Sequence, residues 1–332
     1  LIGAGPAQGD KNLIINGNMA VSQRGTQATG ITTTGFRTVD RFRTSLGTLG
    51  TWTEDQATDA PDGFSNSFKL TCTTADASPA AGDIAYIRYM FEGNELQRLS
   101  YGTSSAKAMT LSFWVKSNKT GSATVQLLQN DNSAKNISPS YTISSANTWQ
   151  YITVSIPADT AGNIDNDNGP AVALIWYLNS GSNYSSGTTR TTWTAYSATD
   201  SNPANLGVGG ATSDYFQITG VSLEIGDVAT PFEHESYAET LQKCERYYNR
   251  IYDIWCDFAV YANNGRMSRR VDFPATMRAN PSMTRNSVST TNCDGVASNR
   301  TNLHGTHIYA NSTGAVGDAF FIINNMEADA EL

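Results

Sequence analysis

The hydrophobic pattern of the chain is dominated by short segments in which apolar and polar residues alternate. Such alternation is typical of strands with one face in a core and the other in solvent. Clusters of Gly, Asn, Asp and Ser separate these segments, so the spacing predicts a β-sandwich or jelly roll and not alternating strands and helices. The clearest segments in the first two thirds of the chain lie at 68–72, 84–90, 109–115, 123–128, 149–156 and 215–225.

Two segments predict more than an ordinary half-buried strand. Residues 171–178 are apolar at nearly every position, which indicates a central strand with both faces covered. Residues 215–225 form a long strand, and Gly220 near its middle predicts a β-bulge.

One helix is predicted, over residues 233–251, and it follows Pro231. Ser236 and Glu239 have the spacing of a capping box. An apolar face then recurs at three- and four-residue steps, which is a helical period. That face packs either on the sheet of its own chain or against other copies of the chain, as an oligomer interface. Its members are Leu241, Cys244, Tyr248 and Ile251.

These elements divide the chain into a mainly β protein of two domains joined by the helix. The prediction is a flexible Gly/Pro-rich linker at 1–10, a jelly-roll β-sandwich at 11–232, the linking helix at 233–251 and a small C-terminal β domain at 252–332. Strands of that last domain are predicted at 252–261, 267–273, 284–289, 307–310 and 319–323.

Composition narrows the classes of partner. Charged residues make up 16% of the chain and the formal net charge is −8, which argues against binding to nucleic acid or to anionic lipid. No run of eighteen apolar residues exists, so membrane insertion is not expected. The four cysteines are widely and irregularly spaced, which predicts free thiols and assembly in a reducing compartment.

Five segments resemble, in the same order, landmarks of bacteriophage tail-fibre and receptor-binding proteins. They are NLIINGNMAVSQRG at 12–25, VDRF at 39–42, VSLEIGDVATPFEH at 221–234, CERYY at 244–248 and FPATMRANP at 273–281. The resemblance implies a jelly roll akin to carbohydrate-binding modules (galactose-binding-like), then a helix and a small β domain. It also implies a homotrimer in the virion tail, assembled in the bacterial cytoplasm, that contacts other tail proteins or host surface polysaccharide.

Candidate carbohydrate-binding residues follow from aromatic rings in a polar context. Tyr184, Trp193 and Tyr196 lie in a stretch rich in Ser, Thr, Gly and Asn, and Trp52 is a further candidate. Flat rings beside hydrogen-bonding side chains provide the apolar face and the polar contacts that a pyranose needs. The alternative is that some of these rings belong to the core or to subunit contacts.

Metal and catalytic signals are sparse. Asp165 and Asp167 have the spacing of a calcium loop, but Trp176 stands where the liganding Glu would follow. A solvated turn is therefore favoured over a structural calcium ion, and no cofactor is expected. Asp40 beside Arg41 has no second carboxylate at a defined spacing, which favours a structural ion pair over a catalytic role.

Three functions remain open from the sequence. The first is a trimeric tail-fibre or receptor-binding component that adheres to host glycan without being an enzyme. The second is a purely structural tail or collar element that binds other virion proteins. The third is the binding module of a carbohydrate-active enzyme whose catalytic part lies elsewhere; a depolymerase needs paired carboxylates, and no spacing here indicates them.

Overall fold

The computed structural model describes residues 11–260, 265–314 and 317–332, and these form two compact units. The first unit extends to Ser236 and includes Leu332, and the second is Tyr237–Glu331. The linker predicted at 1–10 lies outside the described residues. The mainly β fold class is confirmed, and the first unit is a β-sandwich as predicted.

The first unit contains two antiparallel sheets. In spatial order, the first sheet consists of β1 (Gln27–Ile31), β3 (Thr51–Ala57), β4 (Ser67–Thr74), β13 (Tyr215–Ile225), β6 (Met109–Ser117) and β10 (Gln150–Ile156). The second consists of β12 (Arg190–Ala195), β8 (Lys135–Ser138), β7 (Gly121–Gln129), β11 (Pro170–Ser180), β5 (Ile84–Glu92) and β2 (Arg43–Gly47), with β9 (Ser140–Ile143) also paired to β7. Short helical turns lie at Asn94–Leu99, α1 (Ser182–Ser185) and Ala198–Asp200.

The core of this unit lies between the two sheets. Strand β6 shows how the sequence builds it, because Leu111, Phe113 and Val115 are fully buried in the core whereas Trp114 and Lys116 lie half-buried on the outer face. Aromatic rings fill the centre of the core, where they contact one another edge-on or tilted. These rings are Phe42, Phe68, Tyr89, Phe113 and Trp176.

Both special predictions for this unit are confirmed. Strand β11 lies between β7 and β5 and is buried on both faces, with Trp176 in the main core and Tyr177 in a second apolar cluster. The register of β13 against β6 shifts between Thr219 and Ser222, which places a bulge at Gly220.

Side chains of the motifs that resemble tail-fibre landmarks form hydrogen bonds to backbone groups of the first unit. Asn12 accepts the backbone N–H of Leu223 at 2.9 Å through its side chain. The side-chain amide of Asn16 donates to the carbonyl oxygens of Val21 (2.9 Å) and Asp40 (3.0 Å). Asp40 is buried, and its carboxylate accepts the side-chain amide of Gln23 at 2.6 Å. These contacts favour the structural interpretation of Asp40 over the catalytic one.

The second unit begins with a helix and continues as two antiparallel sheets. The helix α2 covers Tyr237–Glu245. One sheet has the order β14 (Tyr248–Val260), β19 (Gly317–Asp329), β16 (Ser282–Thr291), and the other β15 (Arg266–Asp272), β18 (Gly305–Ser312), β17 (Cys293–Asn302). One apolar cluster includes Ile254, Met267, Ile308 and Phe321, with at least one residue from each sheet.

The helix is much shorter than the predicted span of 233–251. It ends at Glu245, and Tyr248 and Ile251 lie on β14, where they pair with Asp329 and Met326 of β19. Aromatic and β-branched residues favour a strand, and pairing along β19 outweighs the helical spacing. The predicted four-residue face is therefore not one face of a helix. In the described part of the chain no helix is long and apolar enough to cross a membrane.

Candidate functional site: an aromatic pocket on the first sheet

The structure places Trp52 in the core of the first unit. Its side chain is 0% exposed, and its indole N–H donates to the carbonyl oxygen of Leu49 at 2.7 Å. A ring without exposed surface cannot stack on a sugar, so Trp52 has a structural position.

The other predicted sugar-stacking rings lie in and around β12. Trp193 is half-buried, contacts Tyr101 edge-on at 5.9 Å between ring centroids, and donates its N–H to Pro157 at 2.8 Å. Tyr184 is half-buried on α1, whereas Tyr196 is 42% exposed. Among the described residues no ring contact joins Tyr184, Trp193 and Tyr196, so the structure does not gather them into one platform.

The outer face of the first sheet carries a pocket that the sequence pattern does not predict. Its volume is about 560 Å³, and five aromatic or imidazole rings line it. The full lining is Asp62, Gly63, Phe64, Trp114, Tyr151, Gly220, Ala229, Thr230, Pro231, Phe232 and His234, all within the first unit.

One wall of this aromatic pocket is a pair of rings on neighbouring strands. Trp114 on β6 lies directly opposite Tyr151 on β10, and their ring centroids are 5.4 Å apart at 52°. Tyr151 is 45% exposed. Both residues occupy positions of the alternating pattern that normally face solvent with polar side chains.

The other wall is a cluster of three rings from two segments without regular structure. Phe64 precedes β4, and Phe232 and His234 follow β13. The Phe64–Phe232 centroid distance is 5.1 Å, and His234 lies 5.0 Å from each phenyl ring. The cluster fixes the segment after β13 against the segment before β4.

Buried polar contacts hold the segment after β13 in place. The carboxylate of Glu224, itself buried, accepts the backbone N–H of Thr230 at 3.1 Å and its hydroxyl at 2.7 Å. Gly17 lies under the same segment, since a Cβ there would collide with the carbonyl oxygen of Val221 and contact the ring of Phe232 at 3.3 Å. Two motifs of the resemblance thus support the pocket from below.

A polar strip continues the pocket along the same face of the sheet. Lys116 follows Trp114 by two residues, and its ammonium lies 2.8 Å from a carboxylate oxygen of Asp59 and 5.8 Å from the ring centroid of Trp149. The indole N–H of Trp149 donates to Asp59 at 3.3 Å. Burial acts to raise the pKa of Asp59, but the hydrogen bonds from Lys116 and Trp149 and the charge of Lys116 outweigh it, so the pKa lies below its ordinary value.

The pocket and strip together can bind a flat, partly apolar ligand with polar edges. The rings provide apolar faces, and the strip provides an ammonium, a carboxylate and an indole N–H. Of the described residues that line the pocket, Asp62 is the one carboxylate, and none is Lys or Arg.

The predicted calcium position is a hydrogen-bonded loop. Asp165 accepts the side-chain amide of Asn132 at 2.9 Å, and Asp167 accepts the backbone N–H of Gly169 at 2.8 Å. Asp131 lies close to both, and burial together with these two carboxylates raises its pKa. Within 11–260, 265–314 and 317–332, no group of three or more acidic, His or Cys residues has an arrangement that could hold a metal ion.

The predicted oligomer-interface residues are mostly covered within one chain. Cys244 and Tyr248 are each 1% exposed, whereas Leu241 and Ile251 are half-buried. This burial favours the interpretation in which they pack inside their own chain.

Comparison with known proteins finds similar solved structures at low sequence identity. The sequence matches no protein-family model and no curated protein. Among solved structures, the enzymatically active domain of bacteriophage CBA120 tailspike protein 4 is similar, with a TM-score of 0.33 and 15% identity, over 65% of this chain and 22% of the tailspike chain. A family 11 carbohydrate-binding module from a Clostridium thermocellum cellulase is similar over 61% of this chain and 98% of the module, with a TM-score of 0.33 and 14% identity. The module TmCBM61, solved with β-1,4-galactotriose, is similar over 65% of this chain and 100% of its own, with a TM-score of 0.32 and 9% identity.

Proposed function

We propose that the chain is a component of a bacteriophage tail fibre whose aromatic pocket and adjoining strip bind a polysaccharide of the host surface. In this proposal three copies assemble in the virion tail, and each binds glycan without cleaving it. The sequence resemblance to tail-fibre and receptor-binding proteins supports the setting, and the pocket supports the binding.

The observation that carries the proposal is the cross-strand pair of Trp114 and Tyr151. Two large aromatic rings side by side on a solvent-facing sheet surface are unfavourable, because their apolar faces are exposed to water. Such rings therefore indicate contact with a ligand or a partner. Tyr151 is nevertheless 45% exposed, and both rings line a pocket. Rings of this kind stack on the apolar face of a pyranose, and polar groups at the rim hold its hydroxyls.

The contacts and the lowered pKa of Asp59, a carboxylate near the pocket, fit binding without catalysis. Hydrolysis of a glycoside needs two facing carboxyl groups, one of which has a raised pKa so that it donates a proton. The Lys116 ammonium and the Trp149 N–H hold Asp59, and its pKa is lowered. Asp59 is therefore suited to hold Lys116 and Trp149 in place and not to donate a proton.

An assembly role is the second candidate, and one feature favours it. Trp255 on β14 is 54% exposed, and its ring lies 6.2 Å from that of Phe320 on β19. These residues form an apolar patch on the sheet face, which suits contact with another virion protein or another copy.

Two tyrosines of nearly equal exposure make it possible to test whether glycan binds in the aromatic pocket or at the loop that the sequence predicts. The experiment measures binding of the full chain to a host-derived glycan array, with Tyr151→Ala in the pocket and Tyr196→Ala as the matched control. Loss of one stacked ring lowers affinity by roughly three- to tenfold, so Tyr151→Ala weakens binding by that factor. Tyr196→Ala binds as the parent does.

The opposite ranking would place the glycan at the loop around β12. Absence of binding by the parent chain, together with capture of other tail proteins, would establish the assembly role instead. Incubation of host polysaccharide with the chain leaves the polymer length unchanged, and shortened polymer would contradict the non-enzymatic part of the proposal.

A further inference from the structure

The side chains that line the aromatic pocket offer few hydrogen-bond donors apart from those on its rings. A pyranose presents hydroxyl groups on every edge, so a site for it normally supplies several hydrogen-bond donors. The Thr230 hydroxyl already donates to Glu224 at 2.7 Å, so the side-chain donors that remain are those on the rings of Trp114, Tyr151 and His234. No described lining residue is Lys, Arg, Asn or Gln, and the one carboxylate is the exposed Asp62.

A wall of rings together with a carboxylate, with no Lys or Arg among the described lining residues, is complementary to a positive charge. The face of an aromatic ring carries negative potential and attracts a cation that lies within about 6 Å of the ring centroid. A quaternary ammonium group suits such walls especially, because its methyl groups are apolar and need no hydrogen-bond acceptor.

In the strip beside the pocket, an aromatic ring and a carboxylate both lie close to a cation that belongs to the chain itself, the ammonium of Lys116. The ammonium of Lys116 lies 5.8 Å from the ring centroid of Trp149 and 2.8 Å from the carboxylate of Asp59. A ring and a carboxylate thus contact a cation on this sheet face. The pocket repeats the ring and the carboxylate, and none of its described lining residues is Lys or Arg.

We infer that the aromatic pocket binds a quaternary ammonium group, of the choline type, carried as a substituent on the host surface polymer. This inference rests on the proposed function for its setting and names the ligand chemistry at the same site. A trimethylammonium group fills only part of about 560 Å³, which leaves space for the sugar that carries it. The net charge of −8 also draws a cationic ligand towards the protein.

Choline chloride and its uncharged isostere 3,3-dimethylbutan-1-ol test the inference directly. The two differ by one positive charge at nearly the same shape, and each is titrated into the full chain by calorimetry or tryptophan fluorescence. We expect choline to bind at least about tenfold more tightly than the isostere, since only a cation gains from ring faces and carboxylate. Equal affinities would overturn the inference and leave a simple apolar pocket.

Two variants locate the binding. Tyr151→Leu removes a ring but keeps apolar volume, and we expect it to weaken choline binding severalfold while the isostere is little affected. Asp62→Asn removes the carboxylate and weakens choline alone. Asp294→Asn, an exposed carboxylate of the second unit, is the control and changes neither.

The outcome also separates this inference from the proposed function. If choline does not bind, but an unsubstituted host glycan binds and depends on Tyr151, then the inference fails and the proposed function stands. If choline binds and no glycan of the array does, then the pocket recognises a quaternary ammonium group, whereas the host polysaccharide as its carrier and the proposed function fail.

Discussion

Gly220 lies directly beneath the ring of Trp114, and the space between them is too small for a side chain. A Cβ on Gly220 would lie 3.0 Å from Cδ1 of Trp114, and 2.7 Å from a ring carbon of Phe64 on the opposite wall. The residue has φ of 58°, at the bulge of β13. The bulge therefore serves as the floor of the aromatic pocket, and both walls depend on it.

Replacement of Gly220 by Ala is expected to damage the pocket as well as the strand. A left-handed backbone costs a non-glycine residue about 1–2 kcal/mol, and the collision with Phe64 and Trp114 adds to this. Gly207 has φ of 71°, and a Cβ added there would meet nothing within 4 Å, so Gly207→Ala gives the backbone cost alone. Denaturant unfolding is expected to show a larger loss for Gly220→Ala, with weakened ligand binding.

Equal losses in the two variants, with binding intact in both, would show that Phe64 and Trp114 move aside freely. In that case the bulge does not hold the walls of the aromatic pocket in place.

Much of the first unit could be predicted from its alternating pattern, and the pocket could not. The strands at 109–115, 171–178 and 215–225 and the bulge at Gly220 follow from local periodicity and glycine chemistry. The pocket combines Phe64, Trp114, Tyr151 and Phe232, which meet because β13 lies between β4 and β6, with β10 beyond. Strand order of this kind depends on long-range pairing that periodicity does not encode.

A local signal for the pocket was nevertheless present in the sequence. Trp114 and Tyr151 stand at positions where the alternation of their strands predicts polar, solvent-facing residues. The aromatic residues of the polar loop indicate Tyr184, Trp193 and Tyr196 instead. The overlong helix has a similar origin, because three- and four-residue spacing continued into a segment that pairs as a strand.

Substitution of Trp52 is expected to affect stability and not ligand contacts. The ring is 0% exposed in the sandwich core, so Trp52→Ala costs about 3–5 kcal/mol through lost burial and the cavity left behind. Trp52→Phe keeps much of the volume and costs less. Thermal unfolding measures both, and glycan affinity of the folded Trp52→Phe variant equals that of the parent. A stable Trp52→Phe variant without glycan binding would restore Trp52 as a binding residue.

Replacement of Cys244 by Asp distinguishes the two interpretations of the residue. Cys244 is 1% exposed in a single chain, so an Asp at this position places a charged group in a buried site, which costs several kcal/mol. We expect the variant to lose the cooperative unfolding transition of the second unit, followed by circular dichroism, whatever its oligomeric state. Cys244→Ser is the control with a small uncharged side chain. A fully folded monomeric Cys244→Asp variant from a trimeric parent would instead place Cys244 at a subunit interface.

Glu54 is expected to make stability depend on pH in the acidic range. Its side chain is fully buried on β3, and burial raises its pKa above the ordinary 4.5, although hydrogen bonds from Thr44 and Thr38 oppose this. The folded state then holds the proton more tightly than the unfolded state does. The protonated carboxyl therefore stabilises the fold fully below the unfolded pKa, and that contribution is lost as pH rises through the folded pKa.

Glu54→Gln tests this sign, because its amide resembles the protonated acid and does not titrate. It can still accept the backbone N–H of Thr38, which lies 2.8 Å from a carboxylate oxygen in the parent. The free energy of unfolding of the variant is expected to improve relative to the parent as pH rises from about 4 towards 7, since only the parent must bury an ionised group there. Urea unfolding at several pH values gives the comparison. A variant that loses stability relative to the parent over this range would show that the hydrogen bonds of the ionised carboxylate outweigh its burial.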